Sequence, residues 1–252
     1  MHAPLLFRFY RVPFVDSIAL FFCFIGHLCV SAKDVLLRRL SISWFDLLHT
    51  VYRSGATLTI PLVLIGSLLG ASLVLNIYEI LSPFNLQHNV LLIAQHILFY
   101  DLLPFIVSFI LLMQSALNLI NAQIRELQRT PQDVVLMHVI PIMIGINLSA
   151  ILLYIYSLSA VFISIYFSFR YLLKTNIYEY LFHLTNTITS KGLIYSIFKT
   201  TLYCTLVSLI VGYYYYQVAT GHLSLRKAMS RIMTRGFVWL VISSVYFKFL
   251  YY

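Results

Sequence analysis

Residues 57–78 carry no charged side chain, and that single run limits the fold more than any other feature. It is about as long as the 20 residues a helix needs to cross a hydrocarbon layer roughly 30 Å thick. Inside lipid no water is available to the backbone, so each N–H and C=O must be satisfied within the protein, and an apolar run of this kind is a helix. Further apolar runs follow at 90–118, 134–169, 192–217 and 237–252. Composition agrees: 10% of the residues are charged and mean hydropathy is +0.89, whereas soluble domains carry about 25% charged residues. The aromatic share of 16% suits rings placed at membrane–water interfaces.

The run at 134–169 reads as one tilted span or as two minimal ones, and charge decides between them. With one span, the segments 1–53, 121–133 and 221–235 share a side. They hold Arg8, Arg11, Lys33, Arg38, Arg39, Arg53, Arg125, Arg129, Arg226, Lys227, Arg231 and Arg235. The opposite side and the spans keep Arg170, Lys174, Lys191, Lys199 and Lys248. Positive charge gathers on the cytoplasmic side, so the expectation is five spans, N-terminus cytoplasmic and C-terminus on the outer side. The apolar stretch 17–30 is short for a span and is flanked by Asp16, Lys33 and further basic residues. Cleavage at the signal-peptidase-like Val30-Ser31-Ala32 would export several of those basic residues, so the stretch reads instead as an amphipathic helix in the cytoplasmic interface. The fold class expected is therefore an all-α membrane protein. Residues 1–54 would form interfacial and connecting helices, and residues 55–252 the five-helix unit.

Several function classes fall away. The net charge of +9 does not form a basic patch for nucleic acid, because the cations sit between apolar runs. Cys23, Cys29 and Cys204 have no metal-ligand spacing, and their odd number argues against a disulfide framework. The chain carries no Walker motif, G-x-S-x-G or H-E-x-x-H, so no catalytic residue, metal site or cofactor is expected in it.

Asp101 is the exception within the second run. A carboxylate near the centre of a span costs about 2.5–3.5 kcal/mol on insertion scales, so it faces the bundle interior or a wet cavity. Pro104, three residues on, frees a backbone carbonyl that a neighbour must satisfy. Gly66 and Gly70 form a small-xxx-small face that admits another backbone closely, for helix packing or dimerisation. The polar segment 122–133 between the second and third runs holds Gln123, Arg125, Glu126, Arg129, Thr130, Gln132 and Asp133; it reads as a solvated loop or as a docking surface for a soluble partner. An alternative is an intramembrane lipid-modifying enzyme with Asp101 and a histidine as an acid–base pair, which would need His96 or His138 to approach Asp101.

Taken together these pieces resemble the MlaE (YrbE-type) permeases of MCE-associated lipid ABC transporters, over roughly residues 38–252. The first span of that family carries Gly-x-x-x-Gly followed by a glutamine, similar to Gly66, Gly70 and Asn76 here. Its Glu-Leu-Gly-Pro resembles Asp101-Leu102-Leu103-Pro104. Its Ala-Glu-[Ile/Leu] and Thr-Glu-Gln resemble Ala122-Gln123-Ile124 and Thr130-Pro131-Gln132. Its Arg-Ala-Thr-Thr-Arg resembles Lys227-Ala228-Met229-Ser230-Arg231. The family's Gly-Arg after the proline is absent, and its glutamates are softened to Asp101, Gln123 and Pro131, which marks a divergent member.

The resemblance implies a cytoplasmic coupling helix at 123–133 docked on a separate ABC ATPase that binds ATP and Mg. It implies a bacterial inner membrane with the C-terminus periplasmic, a homodimer, a periplasmic MCE-domain partner and a phospholipid substrate. The lipid cavity would be lined by Leu73, Ile77, Tyr78, Tyr100, Asp101 and Pro104.

Overall fold

The computed structural model describes residues 13–37, 48, 51–84, 90–121, 135, 139–173, 178, 180–182, 185 and 189–251, and among these there is no strand. The candidate coupling residues Gln123, Arg125, Glu126, Arg129, Thr130, Gln132 and Asp133, and the alternative partner His138, lie outside the described residues. In chain order the helices are α1 (Pro13–Leu36), α2 (Thr57–Leu81), α3 (Val90–Ile97), α4 (Leu103–Asn121), α5 (Ile140–Leu173), α6 (Ser190–Ala219) and α7 (Leu225–Tyr251). A π-turn, Tyr52–Ala56, leads into α2, and a second one, Leu98–Leu102, joins α3 to α4.

Five of these segments are long and apolar enough to cross a membrane: Thr57–Phe84, Leu92–Leu119, Ile140–Tyr171, Ser190–Ala219 and Leu225–Phe249. The long apolar run is thus one helix, α5, as the charge distribution required. Two boundaries differ from expectation. The second span is not a continuous α-helix but breaks at 98–102. The fifth span begins near Leu225 rather than 237, so the basic segment 225–235 is the opening of α7 and not a connecting loop. Its periodicity explains this: Ala228 and Ile232 are buried, while Arg226, Lys227, Arg231 and Arg235 are exposed, which is the pattern of a helix with one buried stripe.

Packing follows the small residues. Gly66 and Gly70 are buried in α2, where an added Cβ would meet Ser157, Val161 and Ser164 of α5 at 3.4–3.5 Å. The close approach lets Ser164 Oγ donate to the Ser67 carbonyl across the interface at 2.5 Å. The face that sequence offered for packing or dimerisation is therefore filled by another helix of the same chain. One apolar core joins α2, α4 and α5 through Leu62, Val74, Leu103, Val107, Leu153 and Val161. A second joins α1, α4, α6 and α7 through Phe24, Leu112, Tyr203, Val211, Ile232 and Leu240. α1 docks by Phe24, whose ring lies against Tyr213 and Tyr216 of α6, over the bare Cα of Gly212. Gly221 ends α6 with φ +75°, a left-handed conformation that glycine adopts without steric penalty.

Candidate functional site

The site is built where the second span breaks. Pro104 has no N–H, so the carbonyl of Tyr100 loses its helical partner. One residue earlier the Leu103 N–H bonds to Leu98 rather than Phe99, the wider spacing of a π-turn, and this frees the Phe99 carbonyl as well. Two adjacent carbonyls thus stand open within a span, and a buried polar group left unmet costs several kcal/mol.

The fourth span closes both. Ser196 Oγ donates to the Phe99 carbonyl at 2.6 Å, and Lys199 Nζ donates to the Tyr100 carbonyl at 2.7 Å. Tyr154 of α5 donates in turn to Ser196 Oγ at 2.7 Å, which ties the third span into the same network. Gly192 completes the surface on α6: a Cβ there would collide with the Tyr100 phenol, so glycine is what lets that ring lie against the helix. Gly192, Ser196 and Lys199 recur at i, i+4 and i+7, one face of α6. That helix starts cleanly because Thr189, in extended backbone, accepts a hydrogen bond from the Gly192 N–H.

Asp101 lies beside these carbonyls and is one-third exposed. Its Oδ1 accepts from Lys199 Nζ at 2.8 Å, and its Oδ2 lies 3.4 Å from Lys248 Nζ of α7. Lys199 is 2% exposed and Lys248 is 63% exposed, so one lysine is committed to the interior and the other stands at the surface. Two cations around one carboxylate leave the cluster with a net charge of +1. The carboxylate is compensated by pairing and the buried lysine by the carboxylate and a backbone carbonyl.

Of the residues expected to line a cavity, Tyr100, Asp101 and Pro104 are gathered against α6. Tyr100 also touches His96 and Tyr195, with ring centroids 4.8 and 6.4 Å apart. Leu73, Ile77 and Tyr78 are partly buried against the first core. None of the six lines the small apolar cavity between α2, α4 and α5, which is walled by Leu62, Gly66, Leu69, Leu102, Ile106 and Ser157 and holds about 10 Å³. That volume is room for about one water, far below an acyl chain. The sequence reading counted Lys199 and Lys248 only as charges of the spans and outer side, and it did not single out Ser196 or Gly192. The signal available for three of them was the polar stripe at i, i+4, i+7 in an otherwise apolar helix.

Among the described residues no group of three His, Cys, Asp or Glu could hold a metal ion. No curated protein matches the chain. Its residues 47–250 match the family model described as Permease MlaE, and over that share of its length the chain belongs to the MlaE permease family.

Proposed function

We propose that the chain is the membrane-spanning subunit of an ABC transporter that moves phospholipids between the bacterial inner membrane and a periplasmic MCE-domain protein, and so serves outer-membrane lipid balance. Membership of the permease family supports a lipid-transporting membrane subunit. The observation that carries the reading further is the break at Leu98–Leu102 with its buried ion pair. A span that only anchors a protein has no use for two open carbonyls and a carboxylate among its turns. A span that lines a transport route does, because irregular backbone within a span belongs beside protein or a cavity.

The small cavity between α2, α4 and α5 has no room for a lipid, and the acyl route in this reading lies between two copies. In that dimer Leu73, Ile77, Tyr78, Tyr100, Asp101 and Pro104 border it. ATP and Mg are bound by a separate ATPase, against which Gln123, Arg125, Glu126, Arg129, Thr130, Gln132 and Asp133 dock. The sequence supports the docking through its isolated charged segment between two apolar spans. The enzyme alternative gains nothing from the geometry: both Asp101 oxygens face lysines, and the His96 ring lies against Tyr100.

The test is purification from the native membrane in mild detergent, with identification of every protein and lipid that accompanies the chain. An ABC ATPase, an MCE-domain protein and phospholipid are expected together. Arg125→Glu combined with Arg129→Glu should release the ATPase and stop lipid transfer; retention of both would overturn the docking assignment.

A further inference from the structure

The three charges of the site are not equivalent, and the difference points to a ligand. Lys199 Nζ is buried and spends two of its three N–H donors on Tyr100 and Asp101 at 2.7 and 2.8 Å, within the range of strong charge-assisted bonds. Lys248 Nζ is mostly exposed and stands 3.4 Å from Asp101, too long for such a bond. An ion pair held this loosely at a surface contributes little. Asp101 is therefore neutralised by Lys199, and Lys248 is the uncompensated cation of the cluster.

Its place on the helix decides what it can meet. Lys248 lies one residue before Phe249, where the fifth span ends. Lysines at that level reach the headgroup region with the ammonium while the stem stays in hydrocarbon. On the same face of α7, three and seven residues back, Val245 and Val241 are exposed. An ammonium there, beside surface suited to acyl chains, matches a molecule with an anionic phosphate and an apolar tail.

We propose that Lys248, held at +1 by the Lys199–Asp101 pair behind it, is a binding site for the phosphate of a net-anionic lipid, which takes the Lys248 ammonium from Asp101 as it enters. This rests on the lipid-permease reading and adds to it the headgroup class and the residue that selects it. Lysine suits the task as a mobile point charge on a flexible stem. Asp101 keeps Lys199 in place when Lys248 leaves, so the exchange strands no buried charge.

The test is native mass spectrometry of the purified chain after equilibration with equal parts of phosphatidylglycerol and phosphatidylcholine. Wild type is expected to retain the anionic lipid in excess. Lys248→Gln should lower that excess about threefold, as loss of one partly exposed charge pair implies. Lys248→Arg should keep it, and so should Lys33→Gln, which removes an exposed cation on α1. An unchanged preference in Lys248→Gln, with lipid still bound, overturns the site while leaving the lipid-permease reading intact. A wild-type chain that retains neither lipid overturns both. If millimolar glycerol 3-phosphate abolishes the preference in wild type, the anion site stands and its ligand is a soluble phosphate ester.

Discussion

Lys199 carries two duties at once, closing the Tyr100 carbonyl that Pro104 leaves open and balancing Asp101. Removing it leaves the Tyr100 carbonyl unmet and Asp101 with only the looser Lys248 contact at 3.4 Å. Lys199→Met should therefore destabilise the protein by about 3 kcal/mol, the lower end of the range for breaking a buried pair, since Asp101 keeps some exposure. Adding Asp101→Asn should return part of that loss, because the second change removes the stranded charge. Thermal unfolding in detergent measures both, and additive losses would deny the coupling. Gly192 makes a sharper case. Gly192→Ala should cost about 1–3 kcal/mol through overpacking against Tyr100, and Tyr100→Ala in the same chain should remove most of that cost. A Gly192→Ala protein as stable as wild type would mean that the ring has somewhere else to go. At this scale the sequence was half legible. Asp101 and Pro104 stand out because each violates the apolar helix around it. Lys199 was read as one more positive charge to be assigned to a side of the membrane, and nothing local to it says that its partner lies 98 residues away.

Elements pack by what their small residues permit. The added Cβ contacts at Gly66 and Gly70 fall at 3.4–3.5 Å, an ordinary van der Waals separation, so alanine fits and anything longer does not. Gly66→Ala and Gly70→Ala should each change stability by less than about 1 kcal/mol, whereas Gly66→Leu or Gly70→Leu should cost about 1–3 kcal/mol by forcing α2 off α5. Equal tolerance of leucine and alanine, read by the same unfolding measurement, would show that this face is not the packed one. The glycine spacing itself was visible in the sequence; its partner was not, since a small-xxx-small face describes how close a neighbour comes and not which neighbour it is. The opening of α7 was missed for a different reason. Charge density at 225–235 was weighed over periodicity, although the buried Ala228 and Ile232 recur four apart between basic positions. The break at 98–102 was foreshadowed by Pro104 alone, because a π-turn has no compositional mark of its own.

The whole molecule must choose a direction across the membrane, and its basic residues argue for one. With five alternating spans, α1 and the α6–α7 turn at 220–224 lie on one side, and the connection between α5 and α6 lies on the other. The first side collects Lys33, Arg226 and Lys227 among the described residues, with the many basic residues before α2 and between the second and third spans adding to it in sequence. Positive charge is retained on the cytoplasmic side, so we predict that the α6–α7 turn faces the cytoplasm and that Lys248, at the far end of α7, faces outward with the proposed headgroup site. The prediction concerns two exposed positions on opposite sides, Tyr178 and His222. In a chain with Cys23, Cys29 and Cys204 replaced by alanine, Tyr178→Cys should react with a membrane-impermeant maleimide in intact spheroplasts, and His222→Cys should react only after the membrane is opened. The reverse pattern would put Lys248 and Asp101 toward the cytoplasm, moving the lipid exchange surface to the ATPase side. Reaction of both before opening would break the five-span alternation itself, and with it the argument that made residues 140–173 a single crossing.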